Sequence, residues 1–160
     1  MTVRIGMAYD VHPFQKERPL ILGGVTIPHH QGLMGHSDAD ALTHAIMDAL
    51  LGALSLGTIG DFFPDTDPKY KDADSMVLLD EVAKRISDEG YVIGNIDTML
   101  VCEAPKLAPY IQEIRQCLSK RLGIELSQVS VKPTRSEKMG FIGRQEGLAA
   151  HAVILLNKRT

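Results

Sequence analysis

The sequence predicts an α+β fold in which helices pack on one face of a mixed sheet of four-stranded type. Two observations lead there. Stretches with the two-residue alternation of strands are interspersed with stretches of helical periodicity, yet the two do not alternate strictly as repeated βαβ units would. The 160 residues, 44% of them hydrophobic, suit one domain spanning 1–160 with its own core, and they show no internal repeat. A sheet covered on one face leaves the other open. Because large exposed apolar surfaces are rare on monomers, a homo-oligomer is expected.

Arg4 to Asp10 alternates, with Ile5, Met7 and Tyr9 on one side of a first strand, and Leu20 to Ile27 is an apolar run split by Gly23-Gly24. From Ser37, apolar residues recur at Leu42, Ala45, Ile46, Ala49, Ala53 and Leu54, one face of a helix with Ser37 or Asp38 as its N-cap. Residues 57–73 hold two prolines, two glycines and four aspartates, too many breakers for a helix or a central strand, so a long functional loop is expected. A second helix runs from Ser75 through Leu79, Val82, Ala83 and Ile86 to a stop at Gly90. Tyr91 to Cys102 reads as a strand. Pro109 suits the first turn of a third helix carrying Ile111, Ile114 and Leu118 and stopping at Gly123. Val129 to Lys132 and Leu148 to Leu156 complete the strands.

Composition narrows the function. A net charge of -3 offers nucleic acid no general attraction, and the absence of Trp removes much of a base-stacking platform. Neither a signal-peptide pattern nor an apolar run of spanning length is present, so a cytoplasmic protein without membrane association is expected. Cys102 and Cys117 form no C-x-x-C pair and read as free thiols. Gly140, Gly143 and Gly147 fit neither a P-loop nor a dinucleotide fingerprint, which disfavours ATP and NAD.

Asp10 and His12 sit two apart where the first strand runs out, so a carboxylate and an imidazole point the same way. His44 borders the apolar stripe of the first helix and can look toward the sheet. Two imidazoles and a carboxylate with one position open are the ligand set of a catalytic zinc. The alternatives are that Asp10 turns the chain before Pro13 and that His44 bonds Asp40 or Asp48 one turn away. His36-Ser37-Asp38-Ala39-Asp40 opens the first helix, where free N–H groups favour a phosphate, or is simply a cap with an acidic first turn. Phe63 to Pro68 offers Asp65 and Asp67 as hydroxyl acceptors, or is a solvated turn. Thr134-Arg135-Ser136-Glu137 has capping-box spacing with little helix to cap, which leaves Glu137 for a hard cation such as magnesium and the three preceding residues for phosphate oxygens.

Taken together, these segments resemble the 2-C-methyl-D-erythritol 2,4-cyclodiphosphate synthase family of the non-mevalonate isoprenoid pathway. The residues that carry the resemblance are Asp10-Val11-His12, Gly35 to Asp40, His44, Phe63 to Pro68, Ala104-Pro105-Lys106 and Glu137 to Arg144, in that order along nearly the whole chain. The resemblance implies closure of the diphosphate of 4-diphosphocytidyl-2-C-methyl-D-erythritol 2-phosphate into a ring, with the substrate's 2-phosphate attacking the β-phosphorus and CMP departing. It implies Zn2+ on Asp10, His12 and His44, and Mg2+ or Mn2+ bridging phosphates near Glu137. His36 and Ser37 would contact phosphate, with His36, Arg135 and Glu137 as catalytic groups and Asp10, Val11 and His12 against the substrate. Thr58, Ile59 and Gly60 would hold the ribose, and Phe63, Pro64, Asp65, Thr66 and Asp67 the methylerythritol end. Cys102, Glu103, Ala104, Pro105, Lys106, Leu107 and Ala108 would form the cytosine pocket, supplemented by Thr134, Arg135, Ser136 and Glu137. The family further implies a homotrimer, its three sheets facing a central axis and its active sites between subunits, with Phe141 and Arg144 at an axial cavity able to hold an isoprenoid diphosphate.

Two positions depart from the family pattern: Thr58 stands where Asp is common, and Arg135 where Thr is common. A threonine lacks the charge-assisted bond of a carboxylate. The arginine either stabilises transition-state charge or crowds the diphosphate. Two rival functions remain at this level, a non-catalytic metal trimer binding isoprenoid diphosphate and a zinc hydrolase acting through metal-bound water.

Overall fold

A computed structural model describes residues 2–160. β1 (Val3–Lys16), β2 (Leu20–Leu22), β3 (Val25–Ile27) and β4 (Gln31–Leu33) precede α1 (Ala41–Ala53) and the short α2 (Ile59–Phe62). Then come α3 (Ser75–Asp88), β5 (Tyr91–Val101), α4 (Ile111–Leu122), β6 (Val129–Thr134), the short α5 (Gly140–Gly143) and β7 (Gly147–Lys158). The main sheet runs β4-β1-β7-β5-β6 and is mixed: β5 and β6 are parallel, the other pairs antiparallel. Helices cover one face, α1 across β1 and β7, α3 against β5 and α4 against β6. Four long strands thus form the sheet, and β4 adds a short fifth at the edge.

Several elements differ in extent from what the sequence predicts. β1 does not run out near Asp10 but continues to Lys16, because its pairing with β7 persists to Pro13 and β4 takes over at Phe14. Leu20 to Ile27 is not one strand. Gly23 and Gly24, both at positive φ, turn it into a separate β2-β3 hairpin. α1 begins at Ala41, and its N-cap is Asp40 rather than Ser37 or Asp38. Buried Asp40 accepts from Thr43 N (3.0 Å), Gly23 N (2.9 Å) and Gly24 N (2.8 Å), so one carboxylate caps the helix and ties the hairpin turn to it. Residues 57–73 contain α2 and a 3-10 turn at Pro68–Tyr70, each too short for periodicity to reveal. Gly123 stops α4 in the left-handed conformation, as its spacing predicts.

The face on which β1 presents its large side chains is the reverse of what packing would suggest. Ile5 (67% exposed) and Met7 (70%) lie with Tyr9 and Val11 on the open face, while Gly6 and Ala8 turn toward α1. The reason is close approach. A Cβ at Gly6 would meet the Ala49 carbonyl oxygen at 1.8 Å, and α1 offers the alanines Ala45, Ala49 and Ala53 to the core. Only small residues fit this seam, and the same face of β1 carries Asp10 and His12 a few residues on. The expected consequence of Gly6→Ala is a loss of about 1–3 kcal/mol through overpacking, read by chemical denaturation.

Candidate metal centre and a second cavity

Asp10 and His12 arrive on the helix side of β1, and His44 comes down from α1, where it is 8% exposed. His12 Nε2 lies 2.9 Å from Asp10 Oδ2, and His44 Nδ1 lies 3.3 Å from the same oxygen. One donor atom from each of the three residues falls within 4.8 Å of the others. A tetrahedral ion with ligand bonds of about 2.0–2.1 Å holds its ligand atoms roughly 3.3–3.4 Å apart, close to the 2.9 and 3.3 Å at which the two imidazoles already stand from Asp10. The far side of each imidazole is also occupied. His12 Nδ1 donates to the Met34 carbonyl (2.7 Å), and His44 Nε2 meets Ser75 Oγ (2.9 Å) and Ser37 Oγ (3.1 Å). Outer bonds of this kind fix the ring nitrogen left for a metal. The residues present fit a divalent cation. The His44 ring bonds neither Asp40 nor Asp48, and Asp10 lies within a paired strand rather than at a turn, which removes the two alternatives.

The electrostatics follow from this arrangement. Burial would raise the Asp10 pKa, but the hydrogen bonds and charges of His12 and His44 outweigh it and lower it to about 2. Burial would lower that of His12, and Asp10 overturns it, leaving the imidazole raised above 6.5. Without metal, Asp10 therefore favours the protonated ring of His12, with hydrogen on the nitrogen a metal would take.

A cavity of about 430 Å³ opens over the triad. His36, Ser37, Ile59, Gly60, Phe63 and Asp65 line it as well, which gathers much of the predicted set into one place. Gly35, which the sequence gives only as part of the family motif, joins them, as do Tyr70 and Leu78, which the sequence does not point to. Pro64, Thr66 and Asp67 do not reach the lining. Asp67 instead caps the 3-10 turn, and its carbonyl accepts from His36 Nε2 (3.3 Å). Val11 is on β1's open face, pointing away from the triad. The phosphate seat expected in the N–H groups ahead of α1 is largely taken: those of Asp38, Ala39, Asp40 and Thr43 bond Ala73 O, Ser37 Oγ, Asp38 Oδ1 and Asp40 Oδ1. What remains toward the cavity is the side chains of His36 and Ser37.

Two aspartates to which the sequence assigns no role in the site, Asp48 only as an alternative partner of His44, shape the rim. Asp48, one turn beyond His44, accepts from Ile59 N (2.6 Å) and so pins the 58–60 segment to the helix that carries the metal ligand. Asp61 accepts from Thr58 N (2.8 Å) and Thr58 Oγ1 (3.0 Å), so the hydroxyl that stands in the aspartate position already has a carboxylate partner. The signal for both was the i+4 and i+3 spacing, which by itself is common in helices and caps.

A second cavity, about 510 Å³, is lined by Cys102, Glu103, Pro105 to Ala108, Thr134, Arg135 and Glu137, while Ala104 and Ser136 stay out of the lining. Cys102 N donates to Thr134 O (2.9 Å) and Ser136 N to Glu103 Oε2 (3.1 Å), which join the end of β5 to the turn after β6. No helix starts at Thr134: it ends β6, and Glu137 and Lys138 take positive φ in a turn, which leaves the Glu137 side chain exposed. Burial pushes the Cys102 thiol up to about 12, so it is no nucleophile at neutral pH. Phe141, in the short α5 that follows this turn, is 40% exposed, and Arg144 pairs with Glu146 at 2.8 Å. In one chain the two cavities do not merge. Asp10, Ala150, Leu100 and Pro133 lie in one row across β1, β7, β5 and β6, three steps of about 4.8 Å each.

Fold and site define an α+β protein with a candidate divalent-metal centre in a cavity between the sheet and its helices. The chain belongs to the YgbB family, whose profile matches residues 3–157. It is 59% identical over 157 residues to the 2-C-methyl-D-erythritol 2,4-cyclodiphosphate synthase of Prosthecochloris aestuarii, covering 98% of this chain and all of that one. The structure of the bifunctional IspDF from Campylobacter jejuni superimposes with a TM-score of 0.95 at 40% identity, with 98% of this chain matching 42% of that longer one. The IspF of Plasmodium falciparum in a CDP complex gives 0.87 at 35% identity, over 99% of this chain and 97% of that one. Among the described residues no helix is long and apolar enough to cross a membrane.

The pKa directions set a pH dependence. The raised His12 pKa means a metal must displace its proton, whereas Asp10 stays ionised down to about pH 2. Metal affinity is expected to fall by about tenfold per pH unit once pH drops below the His12 pKa, as one proton competes for the site. Without metal the signs differ by group. The Asp10 contribution to stability is present above 3.8 and lost as pH falls toward about 2, and the His12 contribution is present below 6.5 and lost as pH rises through its raised value. Cobalt titrations between pH 5 and pH 8 read the metal dependence, and denaturation curves of the metal-free protein from pH 8 down to pH 2 read the two stability contributions.

Proposed function

We propose that this protein converts 4-diphosphocytidyl-2-C-methyl-D-erythritol 2-phosphate to 2-C-methyl-D-erythritol 2,4-cyclodiphosphate and CMP, a lyase step of non-mevalonate isoprenoid synthesis. The observation that carries this reading is the cluster of Asp10, His12 and His44 under a cavity also lined by His36 and Ser37, in a chain 59% identical to a synthase of that name. An oxygen of the substrate's own 2-phosphate forms the new bond to the β-phosphorus. The bond from that phosphorus to the bridging oxygen breaks, and its electrons leave with CMP. The protein supplies no nucleophile, in keeping with the high pKa of the Cys102 thiol. Its tasks are alignment and charge neutralisation, from which most of the rate enhancement in phosphoryl transfer comes.

Asp10, His12 and His44 hold Zn2+ in this reading, and Glu137 sits beside the Mg2+ or Mn2+ site. A bound divalent ion supplies Lewis-acid polarisation of a phosphate oxygen and neutralises developing charge. His36 and Ser37 contact the phosphates at the first cavity. The 58–60 segment, pinned through Ile59 N to Asp48, receives the ribose. Phe63 and Asp65 face the methylerythritol end. The second cavity receives cytosine, with Lys106 and Arg135 contributing positive charge. Arg135 is exposed and free to extend over the leaving phosphate, so we assign it to charge stabilisation rather than crowding.

A single substrate must touch both cavities, and one chain keeps them apart. We therefore propose a homotrimer in which the first cavity of one subunit faces the second cavity of its neighbour. The apolar open face of β1 and β7, with Ile5, Met7, Tyr9 and Val153, supports subunits packed sheet to sheet around an axis, leaving Phe141 and Arg144 near an axial cavity for an isoprenoid diphosphate. A polar nucleotide substrate suits a cytoplasmic location.

CMP release and product mass test the reading together. The expected result is stoichiometric CMP and cyclic product, abolished by chelator and reduced at least 100-fold in Asp10→Asn. A linear phosphate product instead of a cyclic one would indicate a hydrolase. Binding of an isoprenoid diphosphate without any CMP release would indicate a non-catalytic trimer. Arg135→Ala is expected to lower kcat by about 10- to 100-fold with a smaller change in KM, as loss of a transition-state contact does.

A further inference from the structure

We propose that Ser75, held by Asp38, is a positioning residue that fixes the tautomer of His44 and so sets how tightly the triad holds its metal. The inference rests on reading the triad as a metal centre. Its basis is the direction of a short hydrogen-bond relay. Asp38 is acceptor-only toward Ser75: Oδ2 accepts from Ser75 N (3.0 Å) and Oδ1 from Ser75 Oγ (2.5 Å). The hydroxyl proton of Ser75 is thereby committed to the carboxylate. Toward His44 Nε2, 2.9 Å away, Ser75 Oγ can then only accept, so Nε2 is the nitrogen that carries hydrogen. In the metal-loaded protein, where the ring is neutral, its lone pair is then left on Nδ1, the atom that faces Asp10 at 3.3 Å. A ring with the proton on Nδ1 would lose its place as a ligand and would set a bare Nε2 against an oxygen with no proton left to give.

The relay is built rather than incidental. Ser75 is fully buried and opens α3, whose N-cap Asp74 accepts from Met76 N (2.9 Å), so capping does not need the Ser75 hydroxyl. Asp38 is anchored by its own N–H to Ala73 O (3.1 Å). Residues 38 and 44, on either side of the start of α1, thus meet residue 75, more than thirty positions on, through two side-chain bonds. Ser37 Oγ also reaches His44 Nε2, at 3.1 Å, but its other neighbour is the Ala39 N–H, a donor, so its hydroxyl proton is not committed elsewhere and it does not dictate the ring's state.

The serine and the histidine can be tested without relying on turnover. In zinc-loaded protein labelled with 15N-histidine, long-range proton–nitrogen spectra are expected to show His44 coordinated through Nδ1 with hydrogen on Nε2; coordination through Nε2 overturns the proposal, and no mutation is needed to see it. In Ser75→Ala, chelator competition is expected to show zinc affinity about tenfold weaker, the scale on which such outer partners act. Ser75→Thr, which keeps the hydroxyl, is expected to recover most of the loss. Affinity of Ser75→Ala within twofold of the parent protein overturns the proposal, as does a loss in Ser75→Thr equal to that in Ser75→Ala. Neither readout uses CMP. Normal zinc behaviour in these experiments without cyclic product would overturn the proposed reaction and leave this inference standing.

Discussion

The Asp10 carboxylate lies between two imidazoles, one from its own strand and one from the helix packed on that strand, and the geometry of the molecule converges on this contact. Three polar groups in a half-buried position are unfavourable unless each has partners. Here every ring nitrogen has one: Met34 O for His12 on its far side, Ser75 and Ser37 for His44. The donors that remain converge on one point. A cluster so arranged is preorganised for a cation.

That contact requires α1 to lie close on β1, and the requirement explains the unusual use of side chains in β1. Gly6 against the backbone of Ala49 and Ala53 lets the helix approach until His44 reaches Asp10. Larger residues on this face would lift α1 and separate the ligands. The bulky side chains Ile5, Met7 and Tyr9 are displaced to the opposite face, where they leave an apolar surface of the kind that subunit contacts cover. Helix packing, metal-ligand spacing and assembly are thus linked through the alternation of one strand.

The two cavities have different supports. The first depends on the 57–73 segment, which Asp48 and the 72–73 stretch hold against α1 and the 36–38 turn through Ile59 N, Asp72 N and Ala73 O. The second depends on the hydrogen bonds that tie 102–103 to 134–136. Each is a loop cluster anchored on rigid elements, the usual way a binding surface is placed on a scaffold.

Much of this was legible in the chain itself. Periodicity located α1, α3, α4 and the long strands, since burial on one face leaves a repeating trace whatever the partner. The Asp-x-His spacing and the helical histidine were likewise local patterns that put three donors within reach. What the sequence could not carry was direction and partnership. Whether Ile5, Met7 and Tyr9 or Gly6 and Ala8 faced the helix depended on how close α1 comes, a distance set by side chains on another element. Asp40 rather than Ser37 capped α1 because the β2-β3 turn needed the same carboxylate. Ser75 reached His44 across 31 positions because α3 docks its first residue on the 38 turn. The residue types able to do the chemistry were determined by the sequence alone, while the nitrogen, the face and the cavity each one serves were decided by tertiary packing, because hydrogen-bond direction and close approach exist only between elements already in contact.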